Sequence, residues 1–113
     1  MILISIAVFI GLIAQTVASV DSQDGGVQIL KQRFTSSDGR NYRYDFEAYN
    51  GRNSPVYLTI YLTSSDNCYD GLITGNTLIG PGGTASLGSL QQSDGSKAWS
   101  FHYQWRWTDA TNQ

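Results

Sequence analysis

A single cysteine, Cys68, denies this chain an intramolecular disulfide framework. Cys68 is read as a buried thiol acting as a small hydrophobe, or as one half of a bridge to another chain. Histidine is equally scarce. His102 stands alone, on a different segment from Cys68, and a zinc site draws three or four ligands from His, Cys, Asp or Glu. Charge is sparse too: seven Lys and Arg against nine Asp and Glu, a net of −2. That balance offers no basic footprint for nucleic acid. It contains no acidic tail either. No stretch after the first twenty residues repeats its apolar side chains at a helical period.

The motifs of catalysis are missing in the same way. There is no G-x-S-x-G elbow to present a serine nucleophile. Pro81-Gly82-Gly83 has no following lysine or helix, so it is no phosphate cradle. The stretch Asp66 to Gly71, DNCYDG, carries two carboxylates. A calcium loop needs an oxygen ligand where Cys68 stands, and a Glu at its twelfth place. The acids lie mostly in turns, where turn chemistry explains them. The expectation is a chain with no enzymatic activity, no metal and no cofactor.

Charge is also absent from the first twenty residues, MILISIAVFIGLIAQTVASV. The run from Ile2 to Ala14 is almost wholly apolar, and Thr16-Val17-Ala18 follows with the small and β-branched residues that suit signal peptidase. Residues 1–18 are read as a helical signal peptide removed after Ala18. Uncleaved, the same segment is an anchor, since about 18–20 apolar residues span a bilayer. Gln15 and Thr16 favour removal. Residues 19–113 then form a single domain, secreted, periplasmic or held in the cell envelope.

What the domain does have is turns and alternation. Asp24-Gly25-Gly26, Asp38-Gly39, Asn50-Gly51, Asp70-Gly71, Gly75-Asn76, Pro81-Gly82-Gly83 and Asp94-Gly95 punctuate it. Between them the residue pattern predicts strands over 27–35, 40–49, 55–63, 72–79, 84–90 and 97–108. In the second, Tyr42, Tyr44, Phe46 and Ala48 share one face, and Arg43, Asp45 and Glu47 the other. In the third, Val56, Leu58, Ile60 and Leu62 oppose Tyr57, Thr59, Tyr61 and Thr63. In the last, Trp99, Phe101, Tyr103, Trp105 and Trp107 fall on every second position, which puts all five on one side. The expected fold is all-β: an immunoglobulin-like antiparallel sandwich of six to seven strands.

Most of the five aromatics are expected to face the core against the 56–62 aliphatics. Trp105 and Trp107, near the strand end, are candidates to emerge at the rim as a stacking surface. Tyr49, Tyr57 and Tyr61 fall on the outward face and are candidates for an exposed contact patch. His102, with Gln104 and Arg106, is read as a solvated surface residue.

From Phe46 to Trp107 the chain resembles a known family. The segments are AYNGRNSPVYLTIYLT, LIGPGGTASLGSL and SDGSKAWSFHYQWRW. Their order is similar to the non-catalytic β-sandwich domain that precedes the catalytic domain in secreted lysostaphin-type zinc endopeptidases. The matching positions are Asn53, Pro55, Val56, Leu58, Pro81, Gly82, Leu87, Leu90, Asp94, Lys97, Trp99, Phe101, Tyr103 and Trp107. The family's zinc ligands lie in a downstream domain with no counterpart here, so peptidase activity is not carried over. The resemblance implies an exported accessory domain. It would bind a protein or a cell-wall glycan of the envelope, with no nucleic-acid partner and no membrane contact beyond an uncleaved N-terminal segment. The alternative is a structural or assembly subunit that associates through sheet edges, with Cys68 able to lock a dimer.

Overall fold

The computed structural model describes residues 12–14 and 18–111. Their regular elements are nine strands: β1 Leu12–Ala14, β2 Ser19–Asp24, β3 Val27–Ser36, β4 Tyr42–Asn50, β5 Val56–Asp66, β6 Cys68–Leu72, β7 Thr77–Ile79, β8 Thr84–Gln92 and β9 Ser100–Asp109. The helix expected over the first eighteen residues falls largely outside the described residues. Leu12–Ala14, which are described, pair antiparallel with Phe34–Ser36 of β3.

The strands form two antiparallel sheets. One runs β1-β3-β4-β8-β6, with β2 also paired to β3; the other runs β7-β5-β9. The chain changes sheet at every connection from β4 to β9, so neighbours in sequence mostly face each other across the core.

The core lies between the sheets. Val27, Ile29, Phe46, Ala48, Leu72, Leu87 and Leu90 come from the larger sheet, and Val56, Leu58, Ile60 and Ile79 from the smaller; all are buried. Each large aliphatic so buried contributes about 1.5–3 kcal/mol. Alternation delivers them: β4 buries Phe46, Ala48 and Asn50 while Glu47 is exposed. On β9 every second residue is partly buried and every other one exposed. Leu58 pairs with Trp107, Ile60 with Trp105 and Leu62 with Tyr103, so the aromatics share the inner face with the aliphatics. Rings then meet across the core. Tyr44 stacks on Trp99 with centroids 5.8 Å apart, and Phe46 meets Tyr103 edge-on at 5.3 Å.

Two local features fix how the strands meet. Gly25 and Gly26 have φ of 60° and 92°, the pair of positive angles a two-residue hairpin needs between Asp24 and Val27. Gly88, at φ 91°, sits where β8 presses against β6, and a Cβ there would run into the Gly71 carbonyl. A register shift between Phe46 and Glu47 faces this point from β4.

Two strand expectations need correction, and one strand was not anticipated. Residues 72–79 are not one strand. Leu72 ends β6 in the larger sheet, Gly75 turns the chain at φ 82°, and Thr77–Ile79 join the smaller sheet. The last strand starts at Ser100 rather than 97, because residues 93–98 fold into a loop. There the Asn67 amide donates to the carbonyls of Asp94, Lys97 and Ala98 at 2.9, 3.0 and 3.2 Å. β2, which no apolar alternation announced, pairs with β3 from Ser19 to Asp24.

Candidate functional site

The outer face of the three-stranded sheet is built from the residues that β5 and β9 turn away from the core. Tyr57 pairs with Leu78 of β7 on one side and with Thr108 on the other. Thr59 pairs with Arg106, and Tyr61 with Gln104. Leu78 is 57% exposed and Tyr61 40% exposed. The Tyr61 hydroxyl donates to Gln104 Oε1 at 3.2 Å, and Thr59 Oγ1 donates to Asn76 Oδ1 at 2.5 Å. The result is a face of phenol, isobutyl, amide and hydroxyl groups, with Arg106 as the cation in its middle. Cross-strand pairing holds these side chains at fixed spacing.

Of the five residues singled out in the sequence, Tyr57 and Tyr61 come together on this face. Tyr49 does not join them. It lies on β4 between buried Ala48 and Asn50, so it points outward from the other sheet, on the opposite side of the molecule. Trp105 and Trp107 belong to neither outer face. They are partly buried against the core, and each indole N–H ends on β2. Trp105 donates to Ser22 Oγ at 2.9 Å, and Trp107 to the Asp24 carbonyl and carboxylate at 3.1 Å each. The Arg52 guanidinium lies over the Trp107 ring, 4.5 Å from its centroid.

One pairing was invisible in the sequence. Ser64 Oγ lies 3.1 Å from His102 Nδ1, both exposed at the head of the same face. A register shift between Leu62 and Ser64 creates it by turning Ser64 to the His102 side. In a nucleophile–base pair the serine meets Nε2 and a carboxylate orients Nδ1. Here the serine occupies Nδ1, so the contact reads as a surface hydrogen bond. Among the described residues no group of three or more His, Cys, Asp or Glu draws close enough to hold a metal ion. Of the two carboxylates of DNCYDG, Asp70 Oδ1 accepts the Leu72 N–H at 3.0 Å, and Asp66 closes β5 opposite Ser100 of β9.

Cys68 is partly buried, and its thiol pKa is raised, first by burial and then by the Asp70 carboxylate. Among the described residues no helix is long and apolar enough to cross a membrane. No family model, curated protein or solved structure matches the chain.

Proposed function

We propose that this chain is a non-enzymatic binding module that works outside the cytoplasm, secreted or in the cell envelope. It takes a protein or a cell-wall glycan on the outer face of its three-stranded sheet. The observation that carries the reading is the cluster of Tyr57, Tyr61 and Leu78 on one sheet face, with Leu78 and Tyr61 the most exposed of the three. Aromatic side chains give large contact area at small entropic cost, and a phenol adds a hydrogen bond at its tip. The uncharged opening of the chain supports export. The likeness of residues 46–107 to the accessory sandwich domain of lysostaphin-type endopeptidases, an immunoglobulin-like domain, supports an envelope role.

Retention of the purified chain on purified peptidoglycan tests the glycan branch, and cross-linking to envelope proteins tests the protein branch. The double variant Tyr57→Ala, Tyr61→Ala is expected to lose retention or cross-links about tenfold or more, as two anchors of a contact patch do. Unchanged capture by the variant in both assays removes these residues from the site.

A second reading, assembly through sheet edges, rests on β9. Among the described residues it pairs only with β5 along Ser100–Asp109, and a strand of that length with one free edge is a template for another chain. Light scattering across a concentration series separates the two readings, since a monomer throughout leaves only the binding module.

A further inference from the structure

Arg106 is held differently from Arg43, Lys31 and Arg52. Arg43 donates to both Asp45 oxygens, at 2.8 and 3.3 Å. Lys31 lies 3.1 Å from Asp21, and Arg52 donates to the Gly25 carbonyl at 2.9 Å. Arg106 is exposed, and among the described residues its side chain has no hydrogen bond, ion pair or ring partner. Its neighbours on the outer face, Tyr57, Thr59, Tyr61, Gln104 and Thr108, are uncharged. Asp66, the first carboxylate along this face, stands opposite Ser100, about 20 Å away at the rise of a strand. An unpaired guanidinium in such a setting is a ready partner for a carboxylate.

The same strand has an open edge beside it. The Ala110 N–H donates to the Pro55 carbonyl at 2.9 Å, and the register sets Val56 against Asp109. In an antiparallel ladder bonded pairs alternate with unbonded ones. The bonded pairs are therefore Tyr57 with Thr108, Thr59 with Arg106 and Tyr61 with Gln104. The inward aromatics Tyr103, Trp105 and Trp107 turn their backbone N–H and C=O groups the other way, to the free edge. β2 takes the side-chain tips of these three residues, while its backbone pairs with β3. Three N–H and three C=O groups so stand along the edge with no partner among the described residues. An extended peptide backbone satisfies them at strand spacing, and a glycan has no such repeat. We propose that β9 accepts an acidic peptide as an added antiparallel strand, with a carboxylate side chain set against Arg106. Arg106 then belongs to an unbonded pair of the new ladder, the kind in which facing side chains come closest. A second copy of this chain meets that chemistry less well. The outward residues of β9 are Ser100, His102, Gln104, Arg106 and Thr108. Antiparallel pairing of two β9 edges therefore brings no carboxylate to Arg106 in any register. This mode rests on the binding-module reading above, in its protein branch, and the added strand widens the same sheet face.

The test uses synthetic peptides of alternating Thr and Ala with Glu, Gln or Lys at the centre, titrated into the isotope-labelled chain. The Glu peptide should slow amide exchange at Tyr103, Trp105 and Trp107. It should bind about tenfold more tightly than the Gln peptide, the value of one charge-assisted hydrogen bond. Arg106→Gln should remove that preference, and Arg106→Glu should transfer it to the Lys peptide. Lys97→Gln removes the same charge from the exposed loop before β9 and should keep the parent's preference. Failure of every peptide to protect these amides overturns the proposal. So does equal binding of the Glu and Lys peptides, or a dimer in light scattering whose interface protects the same amides without peptide. Capture of envelope proteins that needs Tyr57 and Tyr61, with no peptide bound at the edge, removes the added strand alone and leaves the face reading standing.

Discussion

Asp24 receives the indole N–H of Trp107 on two oxygens, its backbone carbonyl and its carboxylate Oδ2, each at 3.1 Å. The two residues lie in different sheets, β2 and β9. The contact is the last of three. Tyr103 donates to Asp21, Trp105 to Ser22 and Trp107 to Asp24, so successive inward aromatics of β9 all end on β2. β2 is thereby held twice, by backbone bonds to β3 and by side chains to the opposite sheet. This seam closes one side of the sandwich, and it gives each indole N–H the partner that burial requires.

Trp107→Ala should therefore destabilise the chain by about 3 kcal/mol, the lower part of the range for deleting a core aromatic, because the ring is only partly buried. Trp107→Phe keeps most of the ring and loses the hydrogen bond, at about 1 kcal/mol. Urea unfolding with an unchanged slope reads both values. Either variant within about 0.5 kcal/mol of the parent would mean that the seam holds nothing.

Asn50 makes a second prediction. It is fully buried, and its amide donates to the carbonyls of Ser54, Ile79 and Gly80 at 2.9, 3.0 and 3.2 Å, while its Oδ1 accepts the Arg52 N–H at 2.9 Å. One side chain so ties the end of β4 to the crossover into β5 and to the end of β7. Asn50→Ala leaves these groups without a partner, which costs about 2–4 kcal/mol when more than one is stranded. Asn50→Asp keeps the shape but sets a carboxylate against three carbonyl oxygens, so it should not rescue the loss. Thermal unfolding checks both; a parent-like midpoint for Asn50→Asp would sink the account.

The faces of β4, β5 and β9 were legible in the sequence because a two-residue rhythm marks which side of a strand is buried. That rhythm does not say which strand lies alongside. Tyr49, Tyr57 and Tyr61 all point outward, yet strand assignment to different sheets sets Tyr49 on the far side from the other two. Arg43, Asp45 and Glu47 were readable as one polar face. Their serine neighbours on β8 were not, since register across forty residues depends on the whole fold. β2 escaped for a different reason. SVDSQD has one apolar residue, Val20, and it points outward at 49% exposure. The strand is specified by what Tyr103, Trp105 and Trp107 need from it, a demand that no local pattern carries. Asn50 reads as a turn residue from its neighbour Gly51, and only the fold shows its side chain as the tie between three segments.

The Asp21–Tyr103 contact predicts how stability varies with pH. Burial pushes the Asp21 pKa up, but the Tyr103 hydroxyl and the Lys31 ammonium, 3.1 Å away, outweigh it and hold the carboxyl below its ordinary 3.8. Its contribution is present above that ordinary value and is lost as pH falls through the lower, folded one. Tyr103 moves the other way. Burial first, then the hydrogen bond to Asp21 and its charge, hold the phenol well above its ordinary 10.0. Its contribution is fully present below pH 10.0 and is lost as pH rises towards the folded value. The parent should thus exceed Tyr103→Phe by about 1 kcal/mol near neutrality. That gap should narrow on both flanks, below about pH 4 as Asp21 is protonated and above about pH 10 as the unfolded phenol ionises. Denaturant unfolding of both proteins at acidic, neutral and alkaline pH measures the gap directly. A difference that stays constant from pH 7 to strongly alkaline solution would show that the phenol is not held by Asp21, because an unlinked tyrosine adds no pH dependence of its own.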